Sequence, residues 1–179
     1  MPLHVLPRGT PAAARAQLSA PGEASHRGVE LDAFRDALAL WASGVAVVAV
    51  REEDRVLATT VASFMSASAE PPLVLIALGP GAQVLPYLPE GRSFGVSVLA
   101  ESQGRTASVF ADAFPVGASP FPAEGDPVIP DALVRMRCSV HATFPAGDHA
   151  LVLGLVESVA LSAGQPLIRW LRSYHRLVP

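Results

Sequence analysis

Seven short apolar runs, at residues 45–50, 56–61, 73–78, 93–99, 133–144, 150–161 and 167–171, limit what this chain can fold into more than any other feature. They are rich in Val, Ile and Leu and are joined mostly by short links. A parallel sheet needs a crossover, usually a helix, between each pair of strands, and these links leave little room for one. The pattern therefore predicts a mainly β fold, an antiparallel barrel or sandwich with small helices plugging its ends, and the barrel is the preferred form. The run 45–50 is apolar throughout and predicts a strand buried on both faces.

Helical signals are few. Leu31, Phe34, Leu38 and Trp41 recur at helical spacing and form one face, and Gly44 supplies a stop. Two shorter helical stretches are expected near 82–88 and 101–111, with a Pro/Gly-rich loop at 112–130. Residues 1–29 carry neither periodicity and read as a flexible leader to one domain at 30–179.

Composition removes several function classes. The net charge of −3 gives no cationic footprint for nucleic acid. All 13 basic residues other than histidine are arginine, so a Schiff-base lysine and a P-loop lysine are both excluded. Asparagine is absent too, which excludes N-glycosylation. A single cysteine, Cys138, cannot form an internal disulfide and fits a reducing, cytoplasmic setting. The apolar runs are too short to span a membrane as helices.

The segment 59–78, TTVASFMSASAEPPLVLIAL, sets small hydroxyl residues before a strand that wants burial, with no charge before Glu70. Such a segment suggests a cradle of backbone amides and hydroxyls for a polar ligand. Other motifs are weaker. Gly79-Pro80-Gly81 follows a strand, as a dinucleotide fingerprint would, but Val84 stands where a third small residue is needed and Pro86 interrupts the helix, so a plain turn is the better reading. Cys138 and His141 are three residues apart on one strand and point to opposite faces, so they cannot share a metal without a bulge, and no metal site is expected. Gly95-Val96-Ser97 lacks the second glycine of a nucleophile elbow. Gly147-Asp148-His149 sits at a turn between two long strands and His175 closes the chain; spacing leaves open whether these histidines brace hairpins or flank a ligand.

Five segments in order, from Phe34 to Leu177, resemble the flavin reductase family, small NAD(P)H:flavin oxidoreductases of two-component monooxygenases. They are Phe34-Arg35-Asp36-Ala37-Leu38 with Ala42-Ser43-Gly44-Val45; Thr60-Val61-Ala62-Ser63-Phe64-Met65-Ser66-Ala67-Ser68 with Pro71-Pro72-Leu73-Val74; the stretch from Phe94 to Gln103; Gly147-Asp148-His149 through Gly154; and Tyr174-His175-Arg176-Leu177. The resemblance implies a six-stranded antiparallel Greek-key split β-barrel, usually a homodimer with flavin near the subunit interface. It implies FMN or FAD as flavin, NADH or NADPH as hydride donor, and a separate oxygenase that receives the reduced flavin.

Site residues follow by the same analogy. Thr60, Val61, Ala62, Ser63, Ser66, Ala67 and Ser68 would hold the flavin ring and ribityl chain. Ala82, Gln83 and Val84 would lie at the phosphate, and Ser97, Leu99 and Gln103 would line the ligand further along. His149 and His175 would line the nicotinamide side. Gly81-Ala82-Gln83-Val84 replaces the Ser, Arg or Lys and Thr common in the family, so a phosphate there would rely on backbone N–H groups, the following helix N-terminus and an arginine from elsewhere. Ser97 stands where Asn is common, and Ala62 where Ser is common. A barrel that binds flavin or another small ligand without turnover is the alternative reading, and a cofactor-free interaction module is a third.

Overall fold

The computed structural model describes residues 28–112 and 118–177. Residues 1–27 of the expected leader, and residues 113–117 of the expected 112–130 loop, lie outside the described residues. Among the described residues, two α-helices, α1 (Leu31–Ala39) and α2 (Gly104–Ala111), accompany ten strands. These are β1 (Ser43–Gly44), β2 (Ala46–Glu52), β3 (Arg55–Val61), β4 (Phe64–Ala69), β5 (Pro72–Leu78), β6 (Ser93–Val98), β7 (Val134–Ala146), β8 (His149–Leu161), β9 (Ile168–Trp170) and β10 (Ser173–His175).

Seven strands form one antiparallel sheet in the order β3-β2-β6-β7-β8-β5-β4, and β1-β9-β10 form a small second sheet. β2 pairs with β6 and β5 pairs with β8, so the path is no simple meander. The large sheet rolls on itself. Val48 and Val50 from β2, Val61 from β3, Ile76 and Leu78 from β5, Phe94 and Val96 from β6, Cys138 from β7 and Val152 from β8 all meet in one core, with Phe64 of β4 packed against it. Truncating a side chain as enclosed as Ile76 or Leu78 costs about 2–5 kcal/mol.

β2 is buried on both faces, as its unbroken apolar run predicts. Val48 and Val50 enter the barrel, while Val45, Val47 and Ala49 pack outward against Ala107 and Phe110 of α2, with Phe121, Ile129 and Leu167. Helix α2 thus plugs the outer face of the sheet rather than bridging parallel strands.

The six-stranded expectation differs from the observed sheet by β4. Met65, Ser66, Ala67 and Ser68 alternate apolar and polar only weakly, with small Ala and Ser residues and no buried position, and β4 exists because β5 supplies its hydrogen-bonding edge, with a bulge between Ser66 and Ser68. The helix expected at 82–88 is corrected to a chain of three-residue turns, Ala82 N–H to Gly79 O, Leu85 N–H to Ala82 O and Leu88 N–H to Leu85 O, around a single 3-10 turn at Leu85–Tyr87. Pro86 lacks the N–H that an α-helix would use. Helix α1 begins where its stripe begins, yet Leu31, Phe34, Leu38 and the following Trp41 are all more than half exposed.

Candidate functional site

A cleft lies where β3, the end of β5 and the end of α2 converge. It has a volume of about 540 Å³ and is lined by residues 58–63, Ala77, Leu78, Gly79, Gly81, Ala82, Gln83, Ala111, Asp112 and His149. β3 is an edge strand, paired only with β2, so the backbone groups on its outer edge have no neighbouring strand to bond. Small side chains at Ala58, Ala62, Ala77, Gly79, Gly81 and Ala82 keep the walls low. The result is a shallow slot offering backbone N–H and C=O groups, in the usual size range for small-molecule sites.

Two of the hydroxyls that line the cleft are committed to the scaffold. Thr60 Oγ1 donates to Ala107 O at 2.8 Å, fixing β3 to α2. Ser63 Oγ donates to Ala77 O at 2.6 Å, and Ala77 N–H returns a bond to Ser63 O, extending the β4–β5 ladder beyond Phe64 and pinning the corner between β3 and β4 to β5. Each hydroxyl keeps lone pairs for a ligand, but its proton is committed.

His149 enters from the β7–β8 hairpin. Ala146 pairs with His149, leaving Gly147 and Asp148 as a two-residue turn, and Gly147 takes φ +63°, a conformation open to glycine at no steric cost. His149 Nδ1 lies 2.7 Å from Asp148 Oδ1. A carboxylate only accepts, so Nδ1 carries the proton and Nε2 is directed toward Gly79. That hydrogen bond and the His149 charge hold the Asp148 carboxyl below its ordinary range.

The structure brings together Thr60, Val61, Ala62, Ser63, Ala82, Gln83 and His149 of the residues expected at a site. It places the others elsewhere. Ser66 and Ala67 are exposed on edge strand β4, with Ser68 beside them, and none lines the cleft. Val84 is fully buried in the barrel core and Leu99 in the outer core. Ser97 is fully buried and its Oγ accepts Ile129 N–H at 2.8 Å. Gln103 Oε1 accepts Ala100 N–H at 2.8 Å, tying the start of a 3-10 turn to itself. His175 sits on β10, where Nε2–H donates to Trp170 O at 3.0 Å and the ring meets the Trp170 indole edge-on.

The phosphate expectation at Gly81–Val84 meets a different environment. No helix N-terminus follows, since the α-helix expected there is a 3-10 turn. The helix end that does reach the cleft is the C-terminal end of α2, at Ala111 and Asp112, whose dipole is negative. Sequence reasoning missed these two residues because only tertiary packing brings them beside Gly79. Cys138 is fully buried, and burial, with Glu157 adding to it, pushes its thiol up to about 12, while His141 on the other face is exposed. The pairing slips between Val140 and Ala142, so His141 is itself the bulge residue and still points away from Cys138. Among the described residues no group of three potential ligands could hold a metal ion.

Comparison with known proteins gives a consistent picture. The family profile described as "Flavin reductase like domain" matches residues 38–177. The reductase component of 4-hydroxyphenylacetate 3-monooxygenase from Thermus thermophilus is 44% identical over 154 residues, covering 82% of this chain and 97% of that protein. An NADH-dependent flavin reductase from a Rhodococcus species is 36% identical, covering 80% of this chain and 85% of its own length. Among solved structures, the flavin reductase PheA2 superposes with a TM-score of 0.77 at 31% identity, over 84% of this chain and all of that one.

Proposed function

Since this chain belongs to the flavin reductase-like family, we propose that it is an NADH-dependent flavin reductase that reduces FMN or FAD for a separate oxygenase. The observation that carries the reading is the slot between edge strand β3 and the Gly79–Gln83 turn, on a fold shared with flavin reductases. A planar tricyclic ring with polar atoms along one edge suits a slot with low Ala and Gly walls and free strand-edge amides. When bound, flavin accepts a hydride at its N5 position from the reduced nicotinamide.

The chain's own residues supply position rather than an acid, a base or a nucleophile. β3 and the corner at Ala62 and Ser63 would hold the ring edge, with Thr60 and Ser63 made rigid by their bonds to Ala107 and Ala77. His149, held by Asp148, would border the nicotinamide side. His175 joins this proposal as a positioning residue, acting through Trp170.

A homodimer is part of the same reading. It is supported by the uncovered stripe of Leu31, Phe34, Leu38 and Trp41, a contiguous apolar face of the kind that marks an interaction surface. A cytoplasmic setting is supported by the lone, buried Cys138. No described helix is long and apolar enough to cross a membrane. One domain from residue 30 onward is supported by the sheet and both cores drawing on β2 through β9.

Purified protein should oxidise NADH only when FMN, FAD or riboflavin is present, with NADPH as a parallel arm. Bound flavin without NADH oxidation would instead identify a ligand-binding barrel. Failure to bind or turn over any of the three flavins would end the flavin reading.

A further inference from the structure

Residues 118–130 cross the outer face of the large sheet as a strap that forms no strand. Pro120, Pro122, Pro127 and Pro130 fall within it, and a proline has no N–H to give to a ladder. Several of the strap's carbonyls accept from side chains that stand on strands instead. Arg51 of β2 spends all three guanidinium nitrogens in this way: Nε donates to Gly125 O at 3.1 Å, Nη1 to Ala123 O at 3.0 Å and Nη2 to Pro122 O at 2.7 Å. We propose that Arg51 is a positioning residue for flavin binding, setting one wall of the cleft through the strap and the Phe121–Phe110 ring pair. The proposal rests on the flavin reductase reading and adds to it a residue that does not line the cleft.

Two short steps connect the guanidinium to the cleft. Pro122, which accepts the shortest of the three bonds, directly follows Phe121, and Phe121 N–H donates to Ser119 Oγ at 3.3 Å on the other side. Phe121 is thereby fixed in the outer core, where its ring lies 5.4 Å from that of Phe110 at an angle of 55°. Phe110 is buried near the end of α2, and the residues after it, Ala111 and Asp112, line the cleft. A second anchor holds the helix from β3, the 2.8 Å bond from Thr60 Oγ1 to Ala107 O. Helix α2 is eight residues long, too short to hold itself without such packing.

The base of the fork is itself braced. Arg92 Nη2 donates to Arg51 O and pairs with Glu52 at 2.8 Å, fixing the end of β2. Further along, the strap lies so close to β6 that a Cβ on Gly95 would collide with Pro127 O, while Ser97 Oγ accepts Ile129 N–H and Arg135 Nη1 donates to Pro130 O at 2.6 Å. Those contacts hold the strap from residue 127 onward, and Arg51 holds residues 122–125 beside Phe121. Three carbonyls in a fixed array match a planar fork of donors. A lysine ammonium on a flexible stem cannot meet all three at once.

Riboflavin is titrated into the full-length protein with quenching of its fluorescence as readout, and chemical denaturation follows stability in parallel. Riboflavin has no phosphate, so loss of the charge at residue 51 acts on it little. Arg51→Ala should raise the riboflavin dissociation constant about three- to tenfold, the scale of mutations along a packed relay. Phe121→Leu should do the same, and the double variant should bind no more weakly than the weaker single one, because both cut one connection. Arg51→Lys keeps the charge without the fork and should bind within about twofold of Arg51→Ala. In turnover, KM for flavin should rise with the dissociation constant, while kcat at saturating flavin and NADH stays within about twofold of wild type.

Additive losses in the double variant would overturn the proposal, as would an Arg51→Ala protein that loses stability yet binds riboflavin as wild type does. Wild-type affinity in Arg51→Lys would make the effect one of charge and overturn it too. Should Arg51→Ala not fold, Phe121→Leu decides alone: a dissociation constant within about twofold of wild type overturns the relay, and a rise of about three- to tenfold supports it. Wild-type protein that binds none of riboflavin, FMN and FAD would undo the flavin reading itself. Riboflavin binding that neither the Arg51 nor the Phe121 variants change would undo only the relay.

Discussion

Asp148 and His149, adjacent in sequence, form a 2.7 Å contact across the β7–β8 turn that fixes which ring nitrogen of His149 faces Gly79. The carboxylate demands a proton on Nδ1, so Nε2 is left as an acceptor in the neutral ring. Asp148→Asn offers an amide that can donate instead, which releases the ring to the other tautomer. The expected outcome is a several-fold fall in the rate of flavin reduction by NADH, with flavin affinity held within about threefold. The hydrogen bond from His149 and its charge hold the Asp148 carboxyl below the ordinary carboxylate range, so the contact is present at neutral pH and is lost only as pH falls through that lowered range. Stopped-flow reduction of flavin against pH measures both effects.

Gly79→Ala separates function from stability at the same place. A Cβ on Gly79 would stand 3.3 Å from His149 Nε2, so the ring must give by a few tenths of an ångström. Gly79 is not among the glycines with positive φ, and alanine reduces the entropy of the unfolded chain. The variant should be as stable as wild type, or up to about 1 kcal/mol more so, in chemical denaturation. Its flavin binding should weaken, because the added methyl enters the slot.

Ser97→Ala tests whether that residue serves the ligand or the scaffold. Ser97 Oγ accepts Ile129 N–H in a fully buried setting, so its removal leaves a backbone donor unpaired and should cost about 1–3 kcal/mol. Flavin affinity should not change. A variant with normal stability and impaired flavin binding would return Ser97 to the site.

These residues show what was legible in the sequence. β2 and β5 were legible because burial writes itself into short apolar runs: Val74, Ile76 and Leu78 alternate into the core, and the 45–50 run faces two cores at once. β4 was not, since its alternation is carried by small, unburied Ala and Ser residues and the strand owes its existence to β5. The 82–88 segment has helical apolar spacing, but Pro86 leaves it with three-residue turns. At the site, Thr60, Ala62 and Ser63 sit in a hydroxyl-rich segment and His149 at a turn whose local chemistry marks them, while Gln83 was expected from the resemblance alone. Asp112 has no such mark, because it reaches the cleft only through the packing of α2. Ser97, Leu99 and Gln103 were expected from resemblance, and the structure uses their side chains internally.

Cys138 gives the fold an alkaline limit. Burial raises its folded-state pKa to about 12, whereas an unfolded thiol ionises near 8.5. Ionisation therefore favours the unfolded chain as pH rises from about 9 toward 12, and stability falls across that window. Cys138→Ala should remove this component of the alkaline slope, at the cost of a small cavity. In wild type at about pH 8, a thiol-specific reagent should react only with unfolded protein, at a rate that follows denaturant concentration.

Flavin selection provides the sharpest test of the cleft's charge. By the resemblance, the phosphate of FMN belongs at Gly81–Val84, beside a cleft whose described lining residues include no guanidinium and include the Asp112 carboxylate. A charged hydrogen bond to phosphate would favour FMN over riboflavin by about 1.5–3 kcal/mol, or roughly 10- to 100-fold. Without such a cation, the dissociation constants of FMN and riboflavin should agree within about tenfold and vary little with salt, since ionic screening has no close ion pair to weaken. Quenching of flavin fluorescence, titrated at low and high ionic strength, gives both constants directly. An FMN preference near a hundredfold that collapses in salt would require a cation at this end and would refute the charge pattern argued for the cleft.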